Sequence, residues 1–255
     1  MIKRKTAHEI EAMRLAGEIA AAARKIAGKM VTVGASTHSI DKTVYDFILS
    51  RGAIPAFLGY NGYPASVCIS VNEQVIHGLP SSRRLRDGDV VSIDVGAQIN
   101  GFIGDCAATY IAGRGNPEAE KLVRITRECF FEGIKFARAG CRVSDISRAI
   151  QRHAEENGFS LVREYVGHGV GAKMHEPPEV PNYVEIPRKK ADPRLLPGMT
   201  LAIEPMVNAG GAAIKVLSDG WTVVTADGRP SAHYENTVLI TEGEPEILTV
   251  YEGLD

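Results

Sequence analysis

Several things are scarce in this sequence. Only 4 of its 255 residues are cysteine, and Cys68, Cys106, Cys129 and Cys141 show no C-x-x-C spacing. That is too few for a disulfide scaffold, so reduced thiols in a cytoplasmic protein are expected. Neither charge dominates: 29 basic against 31 acidic side chains leave a net charge of −2. A nucleic-acid binder would show a basic excess, so that class loses its electrostatic support. No run approaches the ~20 apolar residues of a membrane helix. The basic start, Met1 to Thr6, is followed by no apolar stretch of signal-peptide length. Several catalytic signatures are missing as well. There is no H-E-x-x-H, no G-x-x-x-x-G-K-[ST] and no G-x-S-x-G, and Gly167-x-Gly169-x-Gly171 is not the dinucleotide fingerprint.

What is present is 44% hydrophobic residue content, enough to bury a sizeable core in one domain spanning 1–255. Thr6-Ala-His-Glu9 reads as a capping box opening an alanine-rich helix to about Met30. Ser36 or Thr37 caps a second helix that stops at Gly52. Asn116-Pro117 is an N-cap followed by proline at the first helical position, predicting a helix to about Ala139. Ser144 opens a fourth, ending at Asn157-Gly158. Long helix, short helix, then strands: the order occurs twice. Leu85, Gly88, Ile93 and Asp94 match Leu195, Gly198, Ile203 and Glu204 at a constant offset of 110, and Thr6 matches Asn116 at the same offset. The spacing predicts a duplicated unit with halves of about 1–113 and 114–255. A duplicated fold often carries its site between the halves.

Val90–Val95 and Ile99–Phe102 read as strands joined by Asn100-Gly101, a strong two-residue hairpin signal. That turn pairs Ile99 with Phe102, so Asp94 faces Ala107 and Asp105 faces Gly96. Both aspartates then share one sheet face as diagonal neighbours. Two inward carboxylates are costly unless cations neutralise them. The second half adds Glu204 at the end of the apolar strand 199–203 and Glu235 entering the strand 235–241. His168 supplies a nitrogen within Gly167-His-Gly-Val-Gly171, where glycines permit close backbone approach. Four carboxylates and one imidazole form an oxygen-rich set, suited to two divalent ions of the Mn, Fe or Co type. Such a pair can share a deprotonated water and clamp a carbonyl, which points to amide or ester hydrolysis.

Asp94, Asp105, His168, Glu204 and Glu235, in that order, resemble the metal set of the methionine aminopeptidases. So do the segments Gly59–Ser70, Asn72–Pro80, Gly167–Gly171 and Ile203-Glu-Pro205. The resemblance implies an α+β, duplicated pita-bread fold of antiparallel sheets with helices on the outer face. It implies removal of the initiator methionine from nascent polypeptides when the next residue is small. Two divalent ions (Co, Mn, Fe or Zn) are implied as cofactors. Asp94 and Asp105 would hold one ion and His168 and Glu204 the other, with Asp105 and Glu235 bridging. Glu204 would serve as general base, His175 would donate to the oxyanion, and His77 would contact the substrate backbone. Tyr60, Tyr63, Cys68 and Trp221 resemble the methionine pocket. Phe57 stands where cysteine is frequent in the family and Met174 where phenylalanine is frequent, as if the large residue had moved across the pocket.

About five residues precede the first helix, and Glu204 and Glu235 are 31 positions apart. These gaps match the compact bacterial type I form, and by the family's rule Ile2 would leave Met1 in place. A monomer is expected, with no membrane association and no direct nucleic-acid function. Arg83-Arg84-x-Arg86 and Arg188-Lys-Lys190 are the basic clusters available for transient ribosome contact. Two alternatives share the resemblance: a prolidase-like or X-Pro aminopeptidase, which usually carries an added N-terminal domain, and a pita-bread binding module without catalysis.

Overall fold

The computed structural model describes residues 2–185 and 191–252. Its first helix, α1 (Ala7–Lys29), starts where Thr6 accepts from the Glu9 N–H and Glu9 accepts in return from the Thr6 N–H, the reciprocal box read from the sequence. The second, α2 (Thr37–Ser50), is capped by the Ser36 side chain. The third, α3 (Pro117–Ile134), is capped by Asn116 and begins at proline. It stops five residues short of the expected Ala139, because after Gly133 the chain tightens into i to i+3 bonds from Phe136 and Ala137. The fourth, α4 (Val143–Glu156), has Arg142 rather than Ser144 at its N-cap. Asp145 accepts from the Arg142 N–H, and the distant Asp192 accepts from the Ser144 N–H and hydroxyl. A carboxylate 48 positions away does the work a local serine was expected to do.

The main sheet is antiparallel and nine-stranded. Its principal strands are β1 (Val67–Val71), β2 (Val90–Ile99), β3 (Phe102–Ile111), β4 (Gly167–Gly169), β5 (Glu176–Val180), β6 (Thr200–Ile203) and β7 (Glu235–Leu239). The order runs β2-β3-β7-β6-β4-β5, with β1 and Ile54–Pro55 on the outer edge of β2 and Glu246–Ile247 beside β7. Strands β2 and β3 form the predicted hairpin. Asn100 and Gly101 both have positive φ, at 52° and 79°, and Ile99 pairs with Phe102.

Helices α1 and α2 cover one half of the sheet through Ile19, Ile40, Val44, Ile69, Ile93 and Val95. Helices α3 and α4 cover the other through Leu122, Phe130, Ile146, Leu201 and Val238. Strand β3 pairs with β7 and joins the halves. Helix α1 lies unusually close to β3 because two glycines meet: a Cβ on Gly104 would sit 2.4 Å from the Gly17 nitrogen. Positions related by the offset of 110 agree in backbone detail. Leu85 N–H donates to Ala35 and Leu195 N–H to Cys141, each at 2.8 Å, and Gly88 and Gly198 share φ 86°.

Candidate metal centre and substrate pocket

The sheet register gathers the acids. Asp94 pairs with Ala107, and Ala107 with Glu235, so these three share one row and one face. Asp105 lies two residues before Ala107, on that same face. Its N–H donates to Thr237 Oγ1 at 3.1 Å, and Thr237 Oγ1 donates to its carbonyl at 2.9 Å. Thr237 in turn pairs with Ala202, and Ala202 with His168. Ala107 and Ala202 are fully buried. Their single-carbon side chains leave the space into which the longer acids and the imidazole reach. Glu204 follows directly on β6. Beneath, Arg24 of α1 donates to the carbonyls of Ala107 and Glu235 at 3.3 and 3.2 Å, fixing the β3–β7 seam.

Glycine makes the close approach of β4 feasible. A Cβ on Gly167 would lie 2.4 Å from the Ala202 carbonyl oxygen, and one on Gly169 2.5 Å from that of Pro177. His168 Nδ1 donates to the Gly169 carbonyl at 2.9 Å and leaves Nε2 facing the acids. That Nε2 lies 3.4 Å from Glu204 and 3.9 Å from Asp105. Burial and the neighbouring His175 push the His168 pKa down to about 3, so the ring is neutral.

Three of the acids are buried, Asp105 at 3% exposure, Glu204 at 8% and Glu235 at 2%, and Asp94 is partly buried. Asp94 Oδ1, Asp105 Oδ1 and Glu235 Oε1 have no hydrogen-bond partner. Desolvation raises all four carboxyls, Asp105 to about 7 and Asp94, Glu204 and Glu235 well above their ordinary range, with repulsion from neighbouring acids adding to the last three. Such a group cannot hold its full negative charge without cations. Among the described residues two sets of donors have ligand atoms all within 4.8 Å of one another inside the set: Asp94, His233 and Glu235, and Asp105, His168 and Glu235. Orphaned carboxylate oxygens and neutral imidazoles fit divalent metal ions.

All thirteen residues singled out in the sequence line one cavity of about 260 Å³. That is small for a ligand pocket and suits one side chain rather than a large molecule. Its apolar wall is Phe57, Tyr63, Cys68, Met174 and Trp221. Phe57 lies on Gly96, where a Cβ would come within 2.6 Å of its ring. The Tyr63 ring meets Trp221 edge to face at 5.2 Å. Tyr60 does more than form a wall: its hydroxyl is 2.7 Å from His175 Nδ1. His77 holds a left-handed φ of 58° and meets the ring of Tyr165 edge to face. Burial depresses the pKa of His77 to about 4 and lowers that of His175.

His233, Tyr165 and Arg24 were missed from the sequence. For His233 a signal exists: it precedes Glu235 by two residues, the spacing that puts strand residues on one face. Tyr165 and Arg24 carry none. The cysteines are free thiols. Of the basic clusters, Arg84 donates to the Gly34 carbonyl at 2.8 Å and Arg83 lies 3.7 Å from Asp89. Arg188-Lys-Lys190 lies outside the described residues. Among the described residues no helix is long and apolar enough to cross a membrane.

Residues 11–242 match the description of metallopeptidase family M24. A methionine aminopeptidase of Clostridium perfringens is 53% identical over 98% of this chain and 99% of its own. The crystal structure of a methionine aminopeptidase from Thermotoga maritima superposes with a TM-score of 0.94 at 45% identity, covering 98% of this chain and 99% of that one. The prolidase from Pyrococcus furiosus shares the fold at a TM-score of 0.79 and 27% identity, with 98% of this chain and 66% of that one covered. The chain therefore belongs to metallopeptidase family M24, within its methionine aminopeptidase branch.

Proposed function

We propose that this protein removes the N-terminal methionine from nascent polypeptides whose second residue is small. One observation carries the reading: four buried or partly buried carboxylates, three with unpartnered oxygens, share a small cavity with an apolar wall of one side chain's size. When bound, two divalent ions (Mn, Fe, Co or Zn) supply the positive charge that acidifies water and polarises a scissile carbonyl. Asp94, Asp105 and Glu235 would hold one of them and Asp105, His168, Glu204 and Glu235 the other.

The remaining steps belong to the chain's own groups. The methionine side chain enters between Tyr63, Cys68, Met174 and Trp221, where a polarizable thioether gains sulfur–aromatic contact. Glu204 takes the proton of the attacking water and returns it to the leaving amine. Tyr60 donates to His175 Nδ1, so the neutral ring keeps its proton on Nε2 and offers it to the developing oxyanion. His77, held by its unusual backbone angle, contacts the substrate backbone beside the scissile bond. Every one of these groups comes from one chain, so a monomer suffices. Free thiols support action in the cytoplasm, and Arg83, Arg84 and Arg86 provide the surface for transient ribosome contact.

Competing assays with Met-Ala-Ser and Ala-Pro peptides test the reading. Release of methionine from the first with the second left intact supports it. Cleavage of Ala-Pro alone would move the protein to the prolidase-like activity, and metal-loaded protein inert on both would make it a binding module.

A further inference from the structure

One buried imidazole outside the set of five faces the same acids. His233 is 2% exposed, and its Nε2 has no hydrogen-bond partner. That nitrogen lies 3.8 Å from Glu204 Oε2 and 3.8 Å from Glu235 Oε2. The separation is too long for a hydrogen bond. It is the separation of two donors on one ion, since bonds of about 2.0–2.2 Å place ligand atoms roughly 3–4 Å apart. His168, across the cluster, stands to its own carboxylates in the same way, at 3.4 and 3.9 Å.

We propose that His233 is a sixth protein ligand, giving the cation at Asp94 and Glu235 a nitrogen donor as His168 gives one to the other cation. The proposal rests on the metallohydrolase reading above. It follows from how the donors divide: Asp94, His233 and Glu235 form one set within mutual reach, Asp105, His168 and Glu235 the second, and Glu235 belongs to both. The backbone secures the ring. His233 pairs with Met206, its N–H donates to Thr109 Oγ1 at 2.9 Å, and its carbonyl accepts from that hydroxyl at 2.8 Å. Thr109 lies on β3 two residues after Ala107, so the imidazole hangs from the strand that carries Asp105. A nitrogen on each ion shifts preference toward Fe, Co and Zn over Mn, by the order of divalent affinities.

The test is X-ray absorption on the full chain loaded with two equivalents of cobalt or zinc. If His233 binds, imidazole scattering averages about one ring per ion; with His168 alone it averages about half that. In His233→Gln, one of the two metal-binding constants weakens at least about tenfold, and imidazole scattering drops by about half. About half a ring per ion in the unaltered protein overturns the assignment, and so does a folded His233→Gln with both constants unchanged. Should that variant fail to fold, the unaltered protein's spectrum decides alone. A protein that takes up no metal at all overturns the hydrolase reading instead, a different result from one that takes up two ions without His233.

Discussion

Removing cations from the four acids will destabilise the protein by an amount that grows with pH, and Asp105 sets a measurable part of it. In the metal-free protein burial raises the Asp105 carboxyl from 3.8 to about 7. The unfolded chain releases this proton near pH 4, whereas the folded protein keeps it until about pH 7. Folding therefore takes up a proton in that window, and stability falls as pH rises through it. Stability linked to this group is fully present below pH 4 and lost by pH 7. A shift of that size corresponds to about 4 kcal/mol, or roughly 10 °C in Tm for a chain of this length. Thermal unfolding of chelator-treated protein from pH 3 to 8, with and without Asp105→Asn, reads the effect as a difference, which includes the repulsion that Asp105 exerts on Asp94, Glu204 and Glu235. Near pH 3 the two should melt together, since the Asp105 carboxyl is then mostly protonated in the folded and the unfolded chain alike. At pH 8 the stripped Asp105→Asn should melt roughly 10 °C above the stripped unaltered protein. With saturating cation the order should reverse, because asparagine is the poorer ligand. A pH-independent difference, or a stripped protein as stable at pH 8 as the loaded one, would refute the premise that these acids are buried and unneutralised without metal.

Glu204→Gln should lower turnover by about 10²-fold or more while the protein still folds and binds cation, measured by methionine release and metal titration. Tyr60→Phe removes the donor to His175 Nδ1, so kcat should fall more than KM rises; an unchanged kcat would show that the 2.7 Å contact does not set the ring's tautomer. Gly104→Ala forces a methyl against the Gly17 backbone and should cost about 1–3 kcal/mol in denaturant unfolding, with its greatest effect on α1 packing. Reversing the charges of Arg83, Arg84 and Arg86 together should abolish co-sedimentation with ribosomes and leave peptide hydrolysis in solution unchanged.

Much of the site was legible because its parts obey local rules. The Asn100-Gly101 turn sets a register that, with no bulge in either strand, puts Asp94 and Asp105 on one face, and the strands carry none. The offset of 110 brought Glu204 into line with Asp94 for the same reason: each ends or interrupts an apolar strand after a glycine turn. The local rules give way where a distant group replaces a local one. Ser144 looked like an N-cap by type, yet Asp192 supplies the acceptor there, and α3 ended early where tightening after Gly133 overrode a pattern that continued to Ala139.

Turn chemistry, helix caps and the two-residue period of strands act over a few bonds, so the sequence alone determined the hairpin, the starts of α1, α2 and α3 and the inventory of acids. Which acids meet depends on the pairing of β3 with β7, a contact between residues more than 100 positions apart that burial of both helix-covered cores brings about. The same folding brings Tyr60 onto His175 and His233 against Glu204. Only the tertiary structure decided these partnerships, because no short-range preference of the chain distinguishes a strand edge that joins the other half from one left facing water.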